Sequence, residues 1–307
     1  MKVLVTGGAG FIGSHVVDVL IEAGHQVAIV DNLWELGGGR RENVNPQALF
    51  YQVDIRSPEL SEVMEKEQPE VICHLAAQHS VKISTDNPRH DAEVNILGLI
   101  NLLQAATRVG TRKVVFSSSG ATYGTIEKMP VDESVPQHPE SPYGITKLAS
   151  EHYLRFWKEM HGLDFTLLRY GNVYGPRQDP TGEAGVIAIF TRRILLGEPV
   201  RIDWDGEQQK DYVYVGDVAR ANLLSLNQGG GEAFCIATGE GTSVNALYRM
   251  LVKIVGREVE IIHAPKRPGD IYLTYFDCSK AKRQLGWRAE TSLEEGMQKT
   301  VDWFRTQ

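Results

Sequence analysis

The run Thr6-Gly7-Gly8-Ala9-Gly10-Phe11-Ile12-Gly13 constrains this chain more than any other feature. It follows the apolar stretch Val3-Leu4-Val5 directly and opens a helical pattern over residues 12–23. Gly8, Gly10 and Gly13 satisfy G-x-G-x-x-G, while Gly7, Gly10 and Gly13 equally satisfy a spacing of three. In either reading, missing side chains let a pyrophosphate approach backbone N–H groups at a helix N-terminus. Further apolar runs, Val27–Val30, Val71–Leu75, Val114–Phe116 and Phe165–Leu168, read as strands buried on both faces. Helical patterns over residues 59–66, 92–109 and 142–160 separate them. The expected fold class is α/β, a doubly wound parallel sheet of the Rossmann kind, with a smaller mixed C-terminal lobe that binds substrate.

Asp31 ends the second strand 18 residues after Gly13, where a carboxylate can accept hydrogen bonds from an adenosine ribose. A 2'-phosphate would meet that charge, so the expected cofactor is NAD rather than NADP. Asn32 joins Asp31 at this strand end. Asp54-Ile55, after a further short strand, reads either as a contact to adenine or as a local cap before Ser57-Pro58. Leu75-Ala76-Ala77 places small side chains at the carboxyl edge of the sheet, where ligands of open α/β folds bind. Asn95, inside a helical pattern, reads as a surface or packing residue.

Tyr143-Gly-Ile-Thr-Lys147 follows Ser141-Pro142, a helix cap and first position, so Tyr143 and Lys147 fall on one helix face. An unperturbed phenol, with a pKa of about 10, is a poor base at neutral pH. A neighbouring ammonium and a nicotinamide cation are expected to favour the phenolate and make Tyr143 a general base.

With 307 residues, 42% of them hydrophobic, the chain can bury a large core, expected as two lobes. Residues 1–172 form the expected cofactor lobe and residues 173–307 the substrate lobe, with the chain returning to the first lobe within 211–238. Helices are expected over 186–196, 244–255 and 293–304, and strands over 211–215 and 233–236. A formal charge of −7 argues against a nucleic acid or an anionic membrane as main partner. Cys73, Cys235 and Cys278 make no metal or redox motif, and no export signal or membrane span is evident, so no metal and a cytoplasmic location are expected.

These residues, together with His74-Leu75-Ala76-Ala77, Ser117–Gly124, Arg169–Pro176, Asp211–Val218, Arg267-Pro268-Gly269-Asp270 and Leu285-Gly286-Trp287, resemble the extended short-chain dehydrogenase/reductase superfamily. Within it the chain is most similar to the NAD-dependent sugar-nucleotide epimerases of the UDP-glucose 4-epimerase group. The resemblance implies 4-epimerisation of a UDP-hexose, including N-acetylated forms, through a transient 4-keto sugar. It assigns Tyr143, Lys147 and Ser119 to catalysis, Ser119 by its place four residues before Tyr123-Gly124. It assigns Gly7, Gly10, Phe11, Ile12, Gly13, Asp31, Asn32, Asp54, Ile55, Leu75, Ala76, Ala77, Tyr143, Lys147 and Tyr170 to the cofactor. Ser119, Tyr143, Asn172, Lys210, Arg267 and Thr274 go to the UDP-sugar, and a homodimer is implied.

Relatives that dehydrate or decarboxylate sugars carry an acid beside the serine, whereas this chain has Gly120-Ala121. Lys210 stands where arginine is usual, a point charge without a bidentate fork. Thr274 stands where some epimerases place a tyrosine against the C2 substituent, and it either widens the sugar site or faces away from it. A UDP-glucuronate 4-epimerase is the nearest alternative activity. A non-catalytic NAD sensor or scaffold on the same fold is the alternative of another kind.

Overall fold

The computed structural model describes residues 1–181, 185–266 and 272–307. Its centre is a parallel sheet of seven strands: β1 (Lys2–Thr6), β2 (Gln26–Val30), β3 (Leu49–Tyr51), β4 (Val71–His74), β5 (Lys113–Ser119), β6 (Asp164–Tyr170) and β10 (Glu232–Ile236). Their order across the sheet is β10-β6-β5-β4-β1-β2-β3, every neighbouring pair parallel. The order reverses between β1 and β4, and a crevice opens at their carboxyl ends.

Helix α1 (Phe11–Glu22) packs on one face of the sheet, and α2 (Glu59–Glu67) and α5 (Gly98–Val109) pack on the other. The helix expected over 92–109 is present, with a π-helical first part, and shorter helices precede it. Helix α3 (Val81–Asp86) and α4 (Pro88–Ala92) come first, and a π-helical turn at Glu93–Leu97 then leads into α5. Helix α6 (Pro142–His161) starts as the sequence dictates. The Ser141 hydroxyl accepts from Gly144 N–H at 3.1 Å, Pro142 takes the first position, and Gly162 closes the helix with a left-handed φ of 73°.

The second lobe holds β7 (Asn172–Tyr174), α7 (Val186–Leu196), β8 (Val200–Asp203) and β9 (Gln209–Tyr214), then α9 (Val244–Val255) and α11 (Leu293–Arg305) around a core of its own. Between them α8 (Val215–Ser225) and β10 belong to the first lobe, α8 packing against α1. Strands β11 (Gly241–Ser243) and β13 (Leu273–Thr274) flank β9, and β12 (Ile261–Ala264) pairs with β8.

Candidate active site

The glycine turn is built by contacts that exclude side chains. A Cβ on Gly7, whose φ is +73°, would lie 2.6 Å from Ala76 N, and one on Gly13 would lie 2.0 Å from the Gly7 carbonyl oxygen. Gly10 N-caps α1 without a side chain, and the first intrahelical bond runs from Ser14 N–H to Gly10 O at 3.0 Å. The N–H groups of Phe11, Ile12 and Gly13 precede that bond and have no intrahelical acceptor, which leaves an anion site at the positive end of the helix.

Asp31 is buried. One carboxylate oxygen accepts from Ala9 N–H at 3.0 Å and the other from Leu33 N–H at 2.9 Å. Burial pushes its carboxyl up, while those two N–H groups oppose the shift. Two of about four lone-pair positions are used, so the group can still accept from vicinal hydroxyls. Asn32 donates to Asp54 at 2.9 Å. Asp54 also takes two bonds from the Arg56 guanidinium, at 2.9 and 2.8 Å, and these hold its carboxyl down at about 2. Its bond from Arg56 N–H at 2.8 Å is the local turn weighed against the adenine contact. Ile55 is buried behind it. Leu75, Ala76 and Ala77 follow β4, with Ala76 against Gly7, and are tied to β1 through bonds from Leu75 N–H to Thr6 O (3.0 Å) and from Ala76 N–H to the Thr6 hydroxyl (3.3 Å). An uncapped helix start, a glycine cradle and a carboxylate with spare acceptor capacity fit a dinucleotide.

The carboxyl end of β5 and the first turns of α6 bring Ser119, Tyr143 and Lys147 together. The Ser119 hydroxyl accepts from Ala121 N–H at 3.1 Å and lies close enough to the Tyr143 phenol to lower its pKa. The Lys147 ammonium donates to the Ser117 carbonyl at 2.8 Å and sits 4.8 Å from the centre of the Phe116 ring and 5.8 Å from that of Tyr143. Burial pushes Tyr143 up to about 12, against the lowering effect of Ser119. Burial likewise brings Lys147 down to about 8. In the protein alone, burial opposes the phenolate form of Tyr143, and the Lys147 ammonium gives its hydrogen bond to Ser117.

Tyr170 closes β6 beneath this group. Its hydroxyl is bonded to the Asn222 amide (2.9 Å) and the Ser117 hydroxyl (3.1 Å), so only its ring and backbone are available to a cofactor. Asn172 is exposed at the start of β7, its amide donating to Asp211 O at 3.3 Å. Lys210 and Thr274 are in register as parallel partners on β9 and β13. The Thr274 hydroxyl is buried without a hydrogen-bond partner. Arg267 lies outside the described residues.

A polar network missed in the sequence underlies the site. Asn95 is not a surface residue: it is 4% exposed, accepts from Gln78 N–H at 2.9 Å, and donates to Gln78 O (2.9 Å), Asp91 (3.1 Å) and Thr146 (3.1 Å). The local signal was Asn87-Pro88, a capping pair that starts the short helix α4 just ahead of the apolar pattern over 92–109. Among the described residues no His, Cys, Asp or Glu group is arranged to hold a metal ion, and no helix is long and apolar enough to cross a membrane.

The family model for GDP-mannose 4,6-dehydratase matches residues 4–300. The chain belongs to that family, a branch of the extended short-chain dehydrogenases/reductases. Within the family it is 50% identical to the UDP-glucose 4-epimerase of Thermotoga maritima solved with UDP-glucose, with a TM-score of 0.97 over 100% of this chain and 99% of that one. It is 44% identical to the Thermus thermophilus UDP-glucose 4-epimerase solved with NAD, at a TM-score of 0.94 over 99% of each chain. The UDP-N-acetylglucosamine 4-epimerase of Methanobrevibacter ruminantium is 36% identical, at 0.94 over 99% and 98%. Among family members, this chain has a serine site without an adjacent acid: Gly120-Ala121-Thr122 form a 3-10 turn, and a Cβ on Gly120 would lie 2.6 Å from the Phe276 ring.

Proposed function

We propose that this family member is a NAD-dependent UDP-sugar 4-epimerase. The observation that carries the reading is the convergence of Ser119, Tyr143 and Lys147 beside the glycine turn, with no acid at Gly120 or Ala121. The turn from Gly7 to Gly13 and Asp31 would hold the pyrophosphate and adenosine ribose, Ala76 and Ala77 the wall beside them, and Lys147 the nicotinamide ribose. NAD, when bound, supplies reversible hydride acceptance at the sugar C4, giving a transient 4-keto sugar. Tyr143 takes the proton of the C4 hydroxyl and returns it. Ser119 holds the reacting oxygen, and Lys147 contributes positive charge that assists proton loss. Dehydration needs a group that protonates the leaving hydroxyl, and the Phe276 ring leaves Gly120 no room for one.

Lys210, Asn172 and Arg267 are the proposed contacts to the UDP-sugar. Thr274 is shorter than a tyrosine, and as a lining residue it would leave room for a C2 acetamido group. The test is to incubate the purified protein with UDP-glucose, UDP-N-acetylglucosamine and UDP-glucuronate, without added NAD, and resolve the products. C4 epimers of the first two are expected. A 6-deoxy-4-keto product, or no turnover of any, would contradict the reading. Thr274→Tyr is expected to lower kcat/KM for the N-acetylated sugar selectively, and equal losses on both sugars would remove Thr274 from the C2 pocket.

A further inference from the structure

Asp91, on the short helix α4, is completely buried. One carboxylate oxygen accepts from the Gln78 amide (2.8 Å) and the Asn95 amide (3.1 Å), and the other from the Thr146 hydroxyl (2.7 Å). All three donors are neutral, and no described cation forms an ion pair with it. The contrast is Glu151, one turn past Lys147 on α6, whose carboxylate is paired directly with Arg169 at 2.6 Å. An interior carboxylate held only by neutral donors is costly to keep. Its donor set also says what it adjoins. Thr146 immediately precedes Lys147, and its hydroxyl is within 3.0 Å of the Tyr143 carbonyl, so Asp91 grips the one turn of α6 that carries both catalytic side chains.

We propose that Asp91 is the buried counter-charge of the Tyr143–Lys147 pair, a positioning residue that keeps the Lys147 ammonium protonated while restraining Tyr143 from remaining a phenolate. The inference rests on the epimerase reading. An epimerase needs such restraint because one phenol must give up its proton and regain it in each turnover. Coulombic interaction with Asp91 raises both Tyr143 and Lys147, opposing burial at the lysine and adding to it at the tyrosine.

Other charged and titratable groups lie on the elements around the pair. From β4, His74 is bonded to the Thr6 hydroxyl at 2.6 Å and held down at about 3 by burial and by Lys147. From β6, Tyr170 is pushed up by burial. Lys82 on α3 pairs with Asp86, and Arg89 on α4 pairs with Glu93 of the π turn, both at the surface. His90 stacks edgewise on Trp34 at 5.1 Å, and His79 lies in the loop after β4.

Asp91→Asn tests the proposal, because it removes the charge while leaving an amide able to hydrogen-bond. Both limbs of the pH profile of kcat/KM are expected to move to lower pH, by about one unit. In the ligand-free protein, the titration midpoint of Lys147, read by NMR of labelled lysine, is expected to fall by a similar amount. That readout does not depend on turnover, so it separates failure of this proposal from failure of the epimerase reading. Asp91→Glu should restore both midpoints, and Thr146→Val, which keeps the charge, should lower kcat without moving the limbs. Unmoved limbs and an unmoved Lys147 midpoint in Asp91→Asn would overturn the proposal. Asp91→Ser is a second neutral variant should the first not fold. The wild type alone also decides: a buried lysine without a counter-charge titrates near 5–6, and a Lys147 midpoint there would overturn the proposal.

Discussion

Three side chains are proposed to carry the chemistry, and their surroundings set the pH dependence expected of it. Burial lifts the Tyr143 phenol to about 12 and brings Lys147 to about 8. Because the lysine must stay charged, activity is expected to fall as pH rises through about 8, which a kcat/KM profile will show. Tyr143→Phe is expected to lower kcat by at least ~100-fold, as loss of a general base does, with the fold unchanged by circular dichroism. Near-normal turnover would remove Tyr143 from the mechanism. The Tyr-x-x-x-Lys pair was legible in the sequence because a helix with a Ser-Pro start fixes which face each residue shares. The opposing desolvation was not legible, since it depends on β4, β5 and β6 packing around the pair.

Two elements hold this chemistry in place. On α6, Glu151 meets the β6 residue Arg169 in a buried bidentate contact, at 2.9 and 2.6 Å, and accepts from the Ser118 hydroxyl at 2.6 Å. Arg169 reaches on to the Tyr123 hydroxyl (2.7 Å) and Gln137 (2.8 Å). This ties the end of β5, and so Ser119, to the helix that carries Tyr143. Glu151→Ala is expected to cost about 3–5 kcal/mol of stability by leaving a buried guanidinium unpaired, measurable by urea unfolding; a loss under about 1 kcal/mol would mean that the pair is dispensable. Except for the edge strand β3, whose Leu49 is exposed, the strands of the central sheet were readable as apolar runs because both faces are covered. Helix α8 was not, because Asp217, Asn222 and Ser225 occupy buried positions and erase its apolar period. The π turn was equally hidden, since one extra residue per turn leaves the apolar pattern of 92–109 continuous while re-aiming Asn95 inward. Strands β8, β12 and β13, two to four residues each, offer too little sequence to recognise.

At the scale of the molecule the two lobes are fastened beside the cofactor turn. His15 bonds the Pro176 carbonyl at 3.0 Å, Arg177 pairs with Asp18 at 2.7 Å, and Arg40 pairs with Asp179 at 3.0 Å. Asp211 accepts from the N–H groups of Thr238, Gly239 and Phe276, joining β9 to the chain on both sides. The opposite side of α6 exposes Ile145, Phe156 and Met160, with Leu97 also exposed on the π turn. We propose that a second copy covers this face; light scattering is expected to give a dimer that Phe156→Glu weakens, and a wild-type monomer would contradict it. Epimerisation at this site requires that hydride leave C4 and return to the same carbon on its opposite face. With UDP-glucose deuterated at C4, the UDP-galactose formed is expected to keep its deuterium at C4, with none lost to water. Deuterium washed out of C4, or carried into a dehydrated sugar, would contradict it.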